Sequence, residues 1–219
     1  MKRIFLAGAA LAVAVGASAC HKTGANAGKD VTNPGGSAPV NAAQDVAATA
    51  VGAASGLTAP MTTDGYVKAA AMGDMYEVEA GKIAQQRAKS PEVKALGAMM
   101  VKDHTQSTQM VKDAVQKGGL NIAPPAGLDE RRKGMLDNLR QAGDSDFDLA
   151  YLHQQLGAHI EALELHKGYA AHGDNAALKD AANKIVPVVQ KHLDEIRKIG
   201  GDKLKGDNSG APPASGGAG

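Results

Sequence analysis

Residues 90–119, SPEVKALGAMMVKDHTQSTQMVKDAVQKGG, decide the fold. Ser90 followed by Pro91 is a helix-start signal: a capping side chain, then a ring that lacks an N–H where no helical partner exists. Gly118-Gly119 is a stop signal. Between them Val93, Gly97, Met100, His104, Ser107, Val111 and Ala114 recur at alternating steps of four and three, the seam of a helix packed in a bundle. His104 stands in the middle of that seam, and a titratable polar group there requires a partner.

Working outward, residues 64–89 read as the preceding helix, with Asp64 as its cap and a seam of Tyr66, Ala70, Gly73, Glu77, Ala80, Ala84 and Arg87. Glu77 falls on the inner face, and Glu79, two positions on, faces outward. The break at Ser90-Pro91 is so short that the two helices must fold back antiparallel. Residues 120–143 read as a connection: Pro124-Pro125 precludes helix, and residues 128–141 carry Leu128, Met135, Leu136 and Leu139 on a short amphipathic one. A link of this length suits a crossover along the bundle. Residues 144–173 open with the cap signal Asp144-Ser145-Asp146, with Asp148 favouring the helix dipole, and have the seam Leu149, Leu152, Leu156, His159, Leu163, His166 and Ala170. Residues 175–199 follow with Leu178, Ala181, Ile185, Val188, His192, Glu195 and Ile199. Pro187 is expected to kink that helix before His192, and Gly200-Gly201 ends it. The expectation is an all-α four-helix bundle over residues 63–200 with an extra short crossover helix.

The flanks have a different character. Lys2 and Arg3, an apolar run over residues 4–15 and the small residues Ala17-Ser18-Ala19 have the form of an export signal over residues 1–19. Cys20, the sole cysteine, stands where a bacterial lipoprotein signal places its lipidated residue, although such signals usually carry Leu three positions earlier, where this chain has Ala17. Ala17-Ser18-Ala19 would serve equally for ordinary secretory cleavage. Both readings put the chain outside the cytoplasm, in the periplasm, and the first anchors it to a membrane by lipid. Residues 20–62, rich in small and polar residues, read as a flexible linker, and residues 201–219 as a disordered tail. A net charge of +1, with aromatics at 3% and no Trp, offers neither a charged surface nor a stacking platform for nucleic acid. One cysteine excludes an intrachain disulfide and a thiolate cluster.

Four helices thus each bring a polar residue to the inner face: Glu77, His104, His159 and His192. Counting the rise per residue from the bends puts Glu77 level with His104, and His159 within one turn of His192. Three imidazoles and a carboxylate make a sensible ligand set for one transition metal ion, Zn, Cu or Fe. Glu195, a turn after His192, is a further oxygen donor or a hydrogen-bond partner for a ligand. Met100 reads as a gap-filling core residue, with a soft sulfur for Cu(I) as the other reading. His166, a heptad from His159, is too far along the axis to join the set, and His153 and His172 fall off the seam. The metal-free reading of the same residues is a buried hydrogen-bond network.

The stretches AAAMGDMYEVEAGKIAQQRAKSPEVKALGAMMVKDH (residues 69–104), FDLAYLHQQLGAH (147–159) and IVPVVQKHL (185–193) resemble the bacterial "domain of unknown function 4142" family. The resemblance covers about residues 63–199 and matches at Glu77, Asp103-His104, His159, Pro187 and His192-Leu193. It implies an exported protein, often a lipoprotein, with a ferritin-like bundle, and it makes Asp103 a candidate hydrogen-bond partner of a ligand. This chain has Ala158 where the family often has Asp, so that carboxylate is missing. The residues three before His104, His159 and His192 are Val101, Leu156 and Val189, so the Glu-x-x-His pairs of di-iron bundles are absent and a mononuclear site is the economical reading. Three functions remain: a membrane-tethered periplasmic metal-binding protein, a metal-free structural or interaction module of the envelope, and, ranked last because no nucleophile–base arrangement is legible, an enzyme.

Overall fold

Five α-helices and no strand make up residues 62–204, the part of the chain that the structure, a computed structural model, describes. The export signal, Cys20, the linker up to residue 61 and the tail from residue 205 lie outside the described residues. The helices are α1 (Thr63–Arg87), α2 (Pro91–Lys117), α3 (Glu130–Gln141), α4 (Phe147–His172) and α5 (Ala176–Gly200). Gly201–Leu204 continue as a short 3-10 turn, and Leu204 packs against the core. No helix is long and apolar enough to cross a membrane among the described residues.

Local chemistry sets the ends. Ser90 Oγ accepts from the backbone N–H groups of Glu92 and Val93, ahead of Pro91 in the first turn of α2. Asp129 caps α3 and Asn175 caps α5 in the same way. The cap of α1 is Thr62 rather than Asp64: its hydroxyl accepts from Gly65 N, while Asp64 sits in the first turn and pairs with Lys68. Asp146 makes no capping bond on α4. Asp148 instead accepts from Lys89 N at 3.0 Å and Ser90 N at 2.7 Å, tying the start of α4 to the α1–α2 bend. Arg87 donates to the carbonyls of Leu139, Arg140 and Ala142 and so satisfies the end of α3.

Two glycines set the spacing of α1 and α2. A Cβ on Gly81 would lie 2.6 Å from Gly97 O, and one on Gly97 would lie 2.8 Å from Gly81 O. Only paired glycines let the two backbones meet there, and that approach brings the acidic face of α1 within reach of His104.

α1 packs on α2, α2 on α5, α5 on α4 and α4 on α1, with α3 laid against α1 and α4. The buried apolar side chains form two clusters. One holds Tyr76, Leu96, Met100, Leu139, Phe147, Tyr151 and Ile196. The other holds Tyr66, Val111, Leu163, Tyr169, Leu178, Ile185 and Val189. α1 and α5 run from the second cluster to the first and α2 and α4 run the opposite way, so residues 118–146 travel the length of the bundle. Each buried Leu, Ile or Phe contributes about 1.5–3 kcal/mol. Between the clusters lies a buried polar layer: Asp74 and Glu77 on α1, His104 and Ser107 on α2, Gln155 and His159 on α4, His192 on α5. That layer buries no comparable apolar area and must be held by its hydrogen bonds.

Several seam readings differ: on α1 Asp74 is buried rather than Gly73, and on α5 Ile196 rather than Glu195 and Ile199. Leu149 is 37% exposed, and Phe147 and Tyr151 on either side of it are buried instead. On α5 Val189 rather than Val188 is buried. Pro187 lies on the exposed side of α5, which the structure keeps as one continuous helix.

Candidate metal centre

The structure brings together the imidazoles of α2, α4 and α5. His104, His159 and His192 are at most 4% exposed, and one nitrogen of each ring lies within 4.8 Å of the other two. His104 Nε2 is 3.5 Å from His159 Nε2, and His159 Nε2 is 3.3 Å from His192 Nδ1.

The remaining nitrogen of each ring meets a group that can only accept. His104 Nδ1–H donates to Asp74 Oδ1 at 2.8 Å. His159 Nδ1–H donates to the Gln155 carbonyl at 2.9 Å. His192 Nε2–H donates to Asp103 Oδ2 at 3.0 Å. Carboxylates and carbonyls have no proton to offer, so each neutral ring carries its hydrogen on the outside. Three lone pairs, on His104 Nε2, His159 Nε2 and His192 Nδ1, therefore face one another. Lone pairs so close repel unless a cation lies among them. A proton serves if one ring is charged, and a metal ion serves all three at once. For a tetrahedral ion with bonds of about 2.0–2.1 Å, neighbouring donors sit about 3.3 Å apart, close to the two separations found here. Outer N–H groups held by carboxylate or carbonyl are also the usual support of metal-bound imidazoles.

Electrostatics sharpens the picture. Burial pushes the His159 imidazole well below the usual histidine range, and the neighbouring His104 and His192 push it further. Burial lowers His192 as well, and Asp103 only partly opposes it. At His104 burial is outweighed by the Asp74 hydrogen bond and by Glu77, Asp74 and Asp103, so its affinity for a proton rises. The cluster thus offers two donors whose neutral form is favoured and a third at which a metal meets stronger competition from a proton.

The acidic residues are placed less simply. Glu77 is buried but stands behind the cluster rather than within it: Oε1 lies 3.7 Å from His159 Nδ1, the nitrogen turned away from the other rings. Burial lifts its carboxyl to about 7, against the pull of His104. The Gln155 amide faces Glu77, yet neither of its polar atoms completes a hydrogen bond; Glu77 Oε2 and the Tyr151 hydroxyl are likewise without one. Glu195 turns out of the layer to pair with Lys198 at 3.1 Å. Met100 packs in the first apolar cluster. His166 is buried apart from the cluster, its Nδ1 3.0 Å from the Tyr66 hydroxyl, whereas His172 is exposed and His153 half-buried. The sequence reading overlooked Asp74, whose second oxygen accepts from Thr108 Oγ1 at 3.1 Å. Its signal was its place three residues before Glu77 on the same face.

A cleft of about 230 Å³ between α2 and α5 reaches this centre, with His104, His192, Asp103 and Ser107 in its wall.

No curated protein and no solved structure matches the chain. The family model described as "Domain of unknown function (DUF4142)" matches residues 46–199, more than half of the 219. On that match the chain belongs to the DUF4142 family.

Proposed function

We propose that this chain is an exported, membrane-tethered protein that holds one transition metal ion in the middle of its helical bundle. The observation that carries the reading is the set of three inward lone pairs on His104, His159 and His192, each fixed by an acceptor behind the ring. An all-nitrogen set of three imidazoles suits Zn and Cu, and it suits Fe only with oxygen donors added from outside. Glu77 supports the ligands from behind His159, and Asp74 and Asp103 offset the charge of the ion. The signal-like residues 1–19 and the placement of Cys20 support export and lipid anchoring. The test is metal content and thermal stability of the purified chain. One Zn or Cu per chain, with a rise in Tm on loading that His159→Ala abolishes, is the expected result. Metal stoichiometry unchanged in both His104→Ala and His192→Ala would end the proposal.

The metal-free reading has one observation in its favour. The raised proton affinity of His104 lets an imidazolium donate from Nε2 to His159. The chain would then be a structural or docking module, and added metal would leave its Tm unchanged.

A further inference from the structure

We propose that the cleft between α2 and α5 is a binding site for a small oxygen- or nitrogen-donor molecule that completes the coordination of the metal, with Ser107 as its hydrogen-bond donor. The inference rests on the metal reading above and deepens it. Three protein donors leave a four-coordinate ion one position short. Among the described residues the cluster contains only the three histidines, and the nearest spare acid, Glu77, faces the far nitrogen of His159. The cleft has two of the three ligands, His104 and His192, in its wall, so a molecule lying in it touches the ligand set directly.

Ser107 gives the cleft its second feature. It lies one turn after His104, is 4% exposed, lines the cleft, and its hydroxyl has no hydrogen-bond partner. A buried orphan hydroxyl is uncommon and calls for a reason. Thr105 on the same helix bonds back to Val101 O at 2.6 Å, so the local backbone allows a helical hydroxyl to satisfy itself, and Ser107 does not. On the α5 side Ile185, Val188 and Val189 line the cleft with apolar surface, and Lys191 adds a cation beside His192. Asp103, the acid in the wall, is already committed to His192. The guest therefore carries one atom that coordinates and another that accepts from Ser107.

The test uses the full chain loaded with Co(II) and titrated with azide, read by the visible ligand-field spectrum. A saturable spectral change is expected in the wild type. Ser107→Ala should weaken azide about five-fold with Co(II) affinity unchanged, the loss of one hydrogen bond. Val188→Phe, which narrows the cleft from the α5 side, should weaken the azide response while Co(II) still binds. A Co(II)-loaded wild type whose spectrum azide does not move overturns this inference and leaves the metal reading standing. Equal azide affinity in Ser107→Ala, or an undiminished response in Val188→Phe, overturns it as well. Failure of Co(II) to bind at all overturns both readings.

Discussion

Asp74→Asn takes one negative charge from behind His104 and keeps the side chain's shape. The amide oxygen can still accept from His104 Nδ1, and the amide nitrogen can donate to the Thr108 hydroxyl where Asp74 Oδ2 now accepts. What is lost is the charge that makes the imidazole a stronger donor to a cation. Removing such a partner costs about 10- to 100-fold in metal affinity, or about 1.4–2.7 kcal/mol. The Asp74 side chain is 4% exposed and that of Asp103 is 17%, so solvent screens Asp74 less. Asp74→Asn belongs near the upper end of that range and Asp103→Asn near the lower. A proton competes with metal for the same lone pair, and Asp74 favours both. The deficit should therefore grow as rising pH removes the competing proton from His104, and should shrink as the pH falls. Competition titration of Zn(II) against a chromophoric chelator, from pH 6 to 8, measures each of these. Unchanged Zn(II) affinity at pH 8, or a loss no greater than that of the exposed control Asp113→Asn, would refute the argument.

Three further outcomes follow from the packing and the buried groups. Gly81→Ala drives a methyl group to 2.6 Å from a backbone carbonyl that cannot swing aside, and should cost about 1–3 kcal/mol in denaturant unfolding; Gly134→Ala, exposed with nothing within 4 Å, should instead stabilise α3 by about 0.5–1 kcal/mol. Burial lowers His166 to about 4, so the unfolded chain takes up a proton below about 6.5 that the folded chain refuses until about 4; stability should fall by up to about 3 kcal/mol as the pH drops through that window, and His166→Gln should flatten the dependence seen in acid-titrated urea melts. Tyr151→Phe deletes a buried hydroxyl without a partner and should leave the Tm unchanged or raise it, whereas Tyr66→Phe, which strips the bond to His166, should lose about 1 kcal/mol in the same melts.

The seam of α2 was fully legible: Val93, Gly97, Met100, His104, Ser107, Val111 and Ala114 are all buried. A strict run of fours and threes between a Ser-Pro start and a Gly-Gly stop leaves little freedom in phase. α1 was harder because, beside Tyr66, Val67 and Tyr76, its inner face is built from alanine, glycine and acids, so hydrophobicity alone does not fix its rotation. Its end mattered more. The reading ran α1 to residue 89, whereas the helix stops at Arg87, with Ala88 as its C-cap. Thirteen residues separate Arg87 from Asp74, and thirteen separate Pro91 from His104, so the acid level with His104 is Asp74 and not Glu77. A shift of two residues at the bend moved the level by about half a turn, enough to replace Glu77 with Asp74. The Gln155 carbonyl behind His159 had no signal at all, since every residue carries a carbonyl and only the fold selects which one is used.

The polar layer makes metal and stability one question. It interrupts the apolar core across the whole bundle, and the three inner nitrogens lie 3.3 and 3.5 Å apart along the chain of rings without a hydrogen fixed between them by their outer partners. Without a cation the layer is held by the outer hydrogen bonds of its rings, and the raised proton affinity of His104 makes its stability fall as rising pH removes a proton there. With a metal the same lone pairs become the strongest contacts in the layer, and the ion adds stability in proportion to the logarithm of its concentration, about 2.7 kcal/mol at one hundred times Kd. The two readings therefore diverge in alkali. A metal-free network loses stability as His104 gives up its proton, while a metal-loaded layer gains, because the competing proton has left.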